Sequence, residues 1–407
     1  GKTLTVDGGI NVQDSSMSIV KSGDGTLILN AANNTNWGQS GTLGVGLIIN
    51  GGKVVAAYNQ YSIGNGNGDV TFGNNTALGF SMASGQQTTS GRTFIVNSNT
   101  ATIEVTNPLC EVDNWDTDQF RVNTDGTLVK TGAGILTVRG NNTTFDGTLR
   151  VDEGTLRISK DGSNNNAVGD TTNRATIQLN GGELGLFNRG DTNPVCNVTV
   201  TADSDINASR WNDNNSTSGS THTFNGGTFT IQGDRNINIK SVAAPDVSTG
   251  LGVIGGTAAL KFTGPTVLNG SAVFNVTNPV AAGTVTSFTL TNITEDATSR
   301  SITKTGNGTM ILNGASGYTG GTIVNGGTMR FNSLAAIGGS GRNVSAAPGT
   351  TVVAGYAINN AFLNRLQEGG NAFVVALAAG SSSPLDLGSS TGAALSGVSL
   401  GAVGNVT

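Results

Sequence analysis

The residues with the clearest chemical potential are carboxylates gathered in one short stretch, CEVDNWDTDQF. The stretch and the residue after it contain Glu111, Asp113, Trp115, Asp116, Asp118 and Arg121. Acids grouped beside an aromatic ring could hold Ca²⁺ or a sugar ring. A solvated loop that bulges from the fold explains the same residues, and we favour this interpretation. We therefore predict no catalytic, cofactor-binding or metal-binding residue, and no ligand-binding residue is identified.

The only histidine of the chain, His222, lies in the segment STHTFNGG. A serine triad or a histidine-ligated metal would depend on this single imidazole. Its place in an alternating segment indicates an outward position on a strand. A structural or surface role is therefore expected.

Three short motifs have chemical interpretations that composition alone also explains. GNGNGD at 64–69 is similar to one calcium-binding nonapeptide turn, a motif that works in tandem stacks. Residues 189–191 form an Arg-Gly-Asp tripeptide, and Asn33 and Asn142 begin Asn-x-Thr sequences. Such motifs arise by chance in a chain rich in Gly, Asn and Thr, so none is assigned a function and no cofactor is predicted.

The two cysteines, Cys110 and Cys196, end the similar segments TNPLC and TNPVC. If they occupy equivalent positions of successive units, they lie three or four coils apart, roughly 14 to 19 Å at the strand spacing of a β-sheet. A disulfide needs Cα atoms within about 7 Å. Free, buried thiols are therefore expected.

The composition indicates strands and turns rather than helices. Gly accounts for 62 of 407 residues, only 12% are charged, and aromatic residues are 5%, so a core of Val, Ile, Leu and Ala is expected. Short alternating segments closed by Gly or Asn recur every 7 to 12 residues or so, as in many all-β folds. One short helix is predicted in NNAFLNRLQEGG near 359–370.

Charge and hydropathy exclude several classes of partner. The net charge is −5 and the pI is about 4.9, which disfavours nucleic acid and anionic membranes. No apolar stretch reaches about 18 residues, so no transmembrane helix and no direct membrane insertion are predicted. The opening GKTLTV alternates like a strand, so an export signal would have to lie outside this sequence.

Repetition decides among the all-β folds. A Lys-x-Gly pattern recurs at Lys21, Lys130 and Lys304, and the TNP segments recur at intervals of about 86 residues. Three or four coils of some 21 to 29 residues per unit predict one continuous β-solenoid over 1–407. Its units are approximately 1–106, 107–192, 193–277 and 278–355, followed by a C-terminal segment over 356–407.

The physics of a solenoid assigns faces to the residues of each coil. Inward places need aliphatic side chains that stack on themselves, and corners need Gly or Asn. Leu27, Leu136 and Met310 are therefore expected to point inward. The three lysines Lys21, Lys130 and Lys304 are expected in equivalent outward places.

The repeated segments also resemble a known family. KSGDGTLILN, KTGAGILTVRGNNTTFDGTLRVDEGTLRI and KTGNGTMILNGASGYTGGTIVNGGTMRF are similar to the autotransporter-associated β-strand repeat. The resemblance implies a single right-handed parallel β-helix, export from a bacterium and an extracellular or cell-surface location. It implies no particular activity.

Three functions are weighed on this basis. The favoured one is a non-catalytic extracellular scaffold that forms a surface fibre, filament or stalk by β-stacking. The alternatives are an adhesin that uses a lateral face or loops, and, less favoured, a β-helical enzyme acting on polysaccharides. Strand-like sequence at both ends favours further repeats or copies of the same chain as partners, and host or surface glycans are the other candidates.

Overall fold

The computed structural model describes most of the chain, in seventeen stretches. They are residues 1–10, 18–31, 45–64, 68–83, 85–88, 91–97, 99–114, 120–159, 167–188, 191–210, 220–241, 258–278, 286–341, 343–356, 360–367, 373–377 and 398–401. The chain divides into two compact units. The first unit contains Gly1–Asn188 and Thr192–Val198, and the second contains Thr199–Val242 and Val253–Thr407.

The described part of the first unit consists of short strands and one 3₁₀ turn, η1 (Gln60–Ile63). The strands are β1 (Thr3–Val6), β2 (Ile19–Lys21), β3 (Thr26–Leu29), β4 (Val45–Ile49), β5 (Lys53–Ala56), β6 (Asp69–Phe72), β7 (Thr76–Phe80), β8 (Gly85–Thr88), β9 (Phe94–Val96), β10 (Thr100–Val105), β11 (Cys110–Asn114), β12 (Phe120–Val122), β13 (Thr127–Thr131), β14 (Ile135–Val138), β15 (Thr148–Val151), β16 (Thr155–Ile158), β17 (Thr176–Leu179), β18 (Glu183–Asn188) and β19 (Asn197–Val200), which begins there.

The strands of the first unit pair in parallel and form three ladders. The first ladder runs β1-β3-β5-β7-β10-β13-β15-β17. The second runs β2-β4-β6-β9-β12. The third runs β8-β11-β14-β16-β18. Because every pair joins one coil to the next, this unit is a β-solenoid, as the sequence predicts.

The described part of the second unit repeats the pattern with longer strands. Its strands are β20 (Ser204–Arg210), β21 (Ser220–Phe224), β22 (Phe229–Gln232), β23 (Arg235–Lys240), β24 (Ala258–Asn269), β25 (Ala272–Val276), β26 (Thr286–Glu295), β27 (Ile302–Thr305), β28 (Thr309–Asn313), β29 (Thr322–Val324), β30 (Thr328–Phe331), β31 (Val344–Ala346), β32 (Thr351–Ala354), β33 (Phe373–Leu377) and β34 (Val398–Gly401). The 3₁₀ turn η2 (Leu334–Ala336) and the helix α1 (Asn360–Leu363) complete it.

Two ladders organise the second unit, again with parallel pairing. In the fourth ladder β21 and β22 both pair with β24, and β26, β28, β30, β32, β33 and β34 follow. The fifth ladder runs β20-β23-β25-β27-β29-β31. A helix is confirmed within the predicted region near 359–370, but α1 is only four residues long.

The core of each unit is a set of inward rows that cross the strands. Leu136 and Met310 are fully buried, as predicted, and each stands in register with buried neighbours such as Leu156 and Met329. Leu27 is half-buried, in register with the buried Val54. Leucine and methionine rows of this kind remove apolar surface from water at each added coil.

Phenylalanine contributes more to the core than the aliphatic composition suggests. In the second ladder Phe94 and Phe120 stack with ring centroids 5.3 Å apart. In the second unit Phe224 and Phe262, which are direct partners on β21 and β24, stack at 4.6 Å. Offset aromatic stacking therefore supports the inward rows at these coils.

Coil lengths vary more than the predicted 21 to 29 residues. Leu136 pairs with Leu156, 20 residues later, whereas Thr221 pairs with Ala259, 38 residues later. The ladders fix only the paired strands, so the segments between them can differ in length without changing the register.

Candidate functional site

The acids that the sequence singles out begin on β11, in the third ladder. Glu111 stands opposite Ile135 of β14, and Asp113 stands opposite Thr137. Both side chains are fully or almost fully buried. Trp115, Asp116 and Asp118 lie outside the described residues, and Arg121 is exposed on β12.

Glu111 is held by an ion pair that crosses two coils. Its Oε1 accepts a hydrogen bond from Arg157 Nη1 at 2.8 Å and another from Thr137 Oγ1 at 2.5 Å. The side chains of Glu111 and Arg157 are only 1% and 2% exposed. A buried carboxylate bonded to a guanidinium is committed to its partner, because separating the two would leave an uncompensated charge.

Asp113 is bound in the same way by Arg139, whose Nη2 donates to Oδ2 of the carboxylate. Burial raises the pKa of Asp113 to about 6, although Arg139 acts in the opposite direction. The interpretation of Glu111 and Asp113 as members of a solvated loop is therefore wrong. They form buried ion pairs that link neighbouring coils of the third ladder, and neither presents its carboxylate to a substrate in solution.

The lysines of the repeats occupy a second kind of polar site, and their predicted outward placement is also wrong. Lys130 stands between Ile103 and Val151 in an inward row of the first ladder, and it is fully buried. Its Nζ donates to the carbonyls of Thr131, Gly132 and Glu153, at 3.0, 2.7 and 3.0 Å. The aliphatic stem thus lies in the core, while the ammonium binds three carbonyls at a turn.

Lys304 repeats this arrangement in the fifth ladder. It is fully buried between Phe274 and Val324. Its Nζ donates to the carbonyls of Thr305, Gly306 and Gly326, at 2.7, 2.8 and 2.9 Å.

Lys21, in the second ladder, follows the same rule and is half-buried. Its Nζ donates to the carbonyls of Ser22, Gly23 and Gly51, at 3.0, 2.6 and 2.9 Å. In all three cases two acceptors lie directly after the lysine and the third lies in the following coil. We call this arrangement the lysine clasp.

Glycine makes the lysine clasp possible. The acceptor glycines Gly132 and Gly306 have φ of 75° and 72°, in the left-handed region that favours glycine. Burial lowers the pKa of Lys130 to about 7 and that of Lys304 to about 8. Three acceptors for three N–H groups offset part of this cost of burying a cation.

Two arginines bind turn carbonyls in a similar way. Arg92 is buried and donates to the carbonyls of Gly64 and Gly68, the first and fifth residues of the GNGNGD segment, with the Nη1–Gly68 distance 3.0 Å. Arg365 Nη2 donates to three carbonyls, those of residues 337, 338 and 339. Two carbonyls of the segment that is similar to a calcium turn therefore accept hydrogen bonds from a guanidinium of the chain itself.

His222 faces inward on β21 and is fully buried, so the predicted outward position is wrong. Its Nε2 lies 2.9 Å from the carbonyl oxygen of Ser209 and 3.2 Å from Ser220 Oγ. Burial lowers the pKa of His222 to about 4. A neutral imidazole that donates to Ser209 supports the packing of β20 and β21, which agrees with a structural role.

The cysteines are free and buried, as predicted. Burial raises the pKa of the Cys110 thiol to about 11 and raises that of Cys196 further. The two cysteines do not occupy equivalent positions. Cys110 begins β11 in the third ladder. Cys196 directly precedes β19, and Asn197 N of β19 donates to the carbonyl of Ala175, the residue before β17 of the first ladder.

The remaining motifs have structural partners where they are described. Asn142 is fully buried, accepts from Phe120 N and donates to the carbonyl of Ala167, so it is a bridge between coils rather than an exposed glycan acceptor. Asp191 is exposed and accepts from Thr221 N at 2.7 Å. Arg189, Gly190 and Asn33 lie outside the described residues.

Two structural features bear on metal binding and on membranes. In the part of the chain that the structure describes, no group of three or more His, Cys, Asp or Glu residues is arranged to hold a metal ion. Within the same residues, no helix is long and apolar enough to cross a membrane.

The lysine clasps lie in three segments that a family model matches. The passenger-associated-transport-repeat model matches residues 19–56, 128–158 and 302–330. These three segments are similar to passenger-associated-transport repeats. Each matched passenger repeat contains one complete lysine clasp, with the lysine and all three acceptor residues inside its bounds. No curated protein and no solved structure matches the chain.

The role of the clasp lysines escaped the sequence interpretation, although a signal was present. In TLVKT, Lys130 is two residues from Leu128, so strict alternation places both on the inward face. The Gly two residues after the lysine marks one acceptor. The glycine-containing turn of the next coil, DEG or NGG, marks another.

Proposed function

We propose that the chain is a non-catalytic scaffold of a secreted or cell-surface bacterial protein, of the fibre, filament or stalk type. The observation that supports this most directly is the use of charge inside the passenger repeats. Each repeat commits its clasp lysine to backbone carbonyls, and the acids Glu111 and Asp113 are committed to arginines. Charged groups that serve the fold in this way are withdrawn from chemistry on a ligand.

The mode of growth of the ladders supports the same proposal. Every described pair in the ladders is parallel and joins successive coils, so each further coil extends the same hydrogen-bonded arrays. Repeat architectures of this kind gain stability from nearest neighbours, and they suit length rather than a single central site.

Two experiments test the proposal. Protease treatment of intact producing bacteria should cleave the chain while a cytoplasmic control protein stays whole. Protection of the chain until the cells are lysed would contradict the surface location.

The purified chain should show no turnover on a panel of polysaccharides, peptides and esters. Turnover that disappears in a Glu111→Gln variant with unchanged circular dichroism would show that the acids of β11 are catalytic after all.

A further inference from the structure

The outer side of the fifth ladder carries a mostly polar surface with two rows of side chains, in which Asp205 is the one charged member. One row runs from Asn236 through Val273, Thr303 and Ile323 to Ser345, each the direct partner of the next. The other row runs from Asp205 through Asn238 and Asn275 to Thr305. We call these two rows the amide face.

The amide face is accessible. Asn236, Asn238 and Ile323 are exposed, and Val273, Asn275, Thr303, Thr305 and Ser345 are half-buried. At the usual strand separation, the five strands of the longer row extend about 19 Å across the coils. A row of this length, with Asn236 and Ile323 exposed, has room for several units of a linear polymer.

Hydrogen bonds along the second row fix the amides in one orientation. Asn238 Nδ2 donates to Asp205 Oδ1 at 2.7 Å, and Asn275 Nδ2 donates to Asn238 Oδ1 at 3.0 Å. Thr305 Oγ1 donates to Asn275 Oδ1 at 3.3 Å. Each of these amides has two N–H donors and an oxygen with two lone pairs, so a donor and an acceptor stay available beside the ladder.

The charges at one end of the amide face disfavour an anionic ligand. Asp203 binds Asn236 through Asn236 Nδ2, and Asp205 binds the ammonium of Lys240 at 2.6 Å. Lys240 is therefore neutralised by its own ion pair, and Arg235 at the same end is outnumbered by the carboxylates of Asp203 and Asp234. A polymer with sulfate or carboxylate groups would meet net negative charge there.

We propose that the amide face binds an extended, neutral polysaccharide laid across the strands. Hydroxyl groups of the sugar would pair with the oriented amides and the threonine hydroxyls, while Val273 and Ile323 contact the apolar faces of the rings. Because the described face has no aromatic ring for stacking, each contact is weak, and affinity comes from the repeated rows. This inference goes beyond the scaffold role and does not depend on it.

Affinity electrophoresis in native gels tests the proposal with hydroxyethyl cellulose as the probe. Retardation of the full chain is expected, with weaker retardation by dextran, whose chain is coiled, and none by dextran sulfate. The triple variant Asn236→Ala/Thr303→Ala/Ile323→Ala should bind about tenfold more weakly. A matched triple variant in the first ladder, Thr100→Ala/Thr148→Ala/Thr176→Ala, should bind like the unaltered chain.

A charge substitution gives a second test that does not depend on losing contacts. Thr303→Lys places a cation in the middle of the amide face and should give retardation by dextran sulfate. Circular dichroism and thermal unfolding confirm that each variant is folded. The proposal is overturned if the unaltered chain is not retarded by hydroxyethyl cellulose, if dextran sulfate retards it more, or if the two triple variants lose binding equally.

Discussion

At the scale of the residue, the lysine clasp shows how a cation is accommodated inside a solenoid. Lys130 and Lys304 each have as many carbonyl acceptors as the ammonium has N–H groups. A buried donor without an acceptor costs about 1–3 kcal/mol, and a charged one costs more. Removal of the lysine therefore takes the hydrogen-bond donor from three carbonyls at once.

We expect Lys304→Met to lower the free energy of unfolding by about 2–4 kcal/mol, because the carbonyls of residues 305, 306 and 326 lose their donor. Urea denaturation followed by circular dichroism measures the change. Lys261→Met is the matched control in the same unit, since Lys261 is exposed on β24 and should change stability little. Equal effects of the two substitutions would show that the clasp contributes nothing specific.

His222 makes the second unit sensitive to acid. The pKa of its imidazole is lowered to about 4 in the folded chain, against an ordinary value near 6.5, so the unfolded chain binds the proton more readily between these values. The stabilisation is present above pH 6.5 and is lost as pH falls towards 4, by up to about 3 kcal/mol. The measurement is the free energy of unfolding across this range.

His222→Gln should flatten this part of the pH profile, because the glutamine amide does not titrate. Asp113 acts with the opposite sign, since its pKa is raised to about 6. Its contribution is present at low pH and is lost as pH rises through 6. The difference between the profiles of the unaltered chain and of His222→Gln isolates the histidine, and identical profiles would refute its role.

At the scale of the element, turns decide how closely successive coils approach. Gly23 and Gly132 occupy the same place in their repeats, with φ of 74° and 75°. A Cβ on Gly23 would meet nothing within 4 Å, whereas a Cβ on Gly132 would lie 2.5 Å from the carbonyl oxygen of Val105 in the preceding coil.

We therefore expect unequal costs for the same substitution. Gly23→Ala should destabilise the chain by about 1–2 kcal/mol, the cost of a left-handed backbone alone. Gly132→Ala should cost clearly more, because the Cβ meets backbone that cannot move without breaking the ladder. Thermal unfolding of both variants measures the difference, and equal shifts would contradict the close approach.

The sequence predicted the elements better than it predicted their polar partners. The alternation of apolar and polar residues predicted the inward positions of Leu136 and Met310 correctly, because successive side chains of a strand point to opposite faces of the sheet. It did not reveal that Glu111 is buried, because its partner Arg157 is 46 residues away and leaves no local pattern. For the lysines the alternating pattern was present in the sequence. Because charged residues are mostly found at protein surfaces, an outward position was predicted for them. The continuity of all 407 residues in one solenoid stays a prediction.

At the scale of the whole molecule, cationic side chains of the chain itself bind several turn carbonyls, the kind of oxygen that can also bind Ca²⁺. Arg92 binds the carbonyls of Gly64 and Gly68 in the GNGNGD segment, and the three clasp lysines bind carbonyls of the passenger repeats. Such cations are covalently part of the fold, so neither export nor dilution can remove them.

We expect the thermal unfolding temperature to be the same in excess chelator and in millimolar Ca²⁺. The physical reason is that the turn carbonyls already have donors, so they have little reason to bind a further cation. Differential scanning calorimetry in the two buffers is the measurement, with Mg²⁺ as a control for ionic strength. A fall in the unfolding temperature with chelator, reversed by Ca²⁺, would mean that a metal ion stabilises the fold.

The lysine clasp is local, since it depends only on its own turn and on the next coil. In the first unit, Lys21 closes its clasp in the second ladder and Lys130 closes one in the first, with acceptors of the same kind. Recombination within the gene therefore need not keep the phase of the coil. A duplicated segment can start on any side of the solenoid and still encode a complete lysine clasp, provided that it ends beyond the third acceptor.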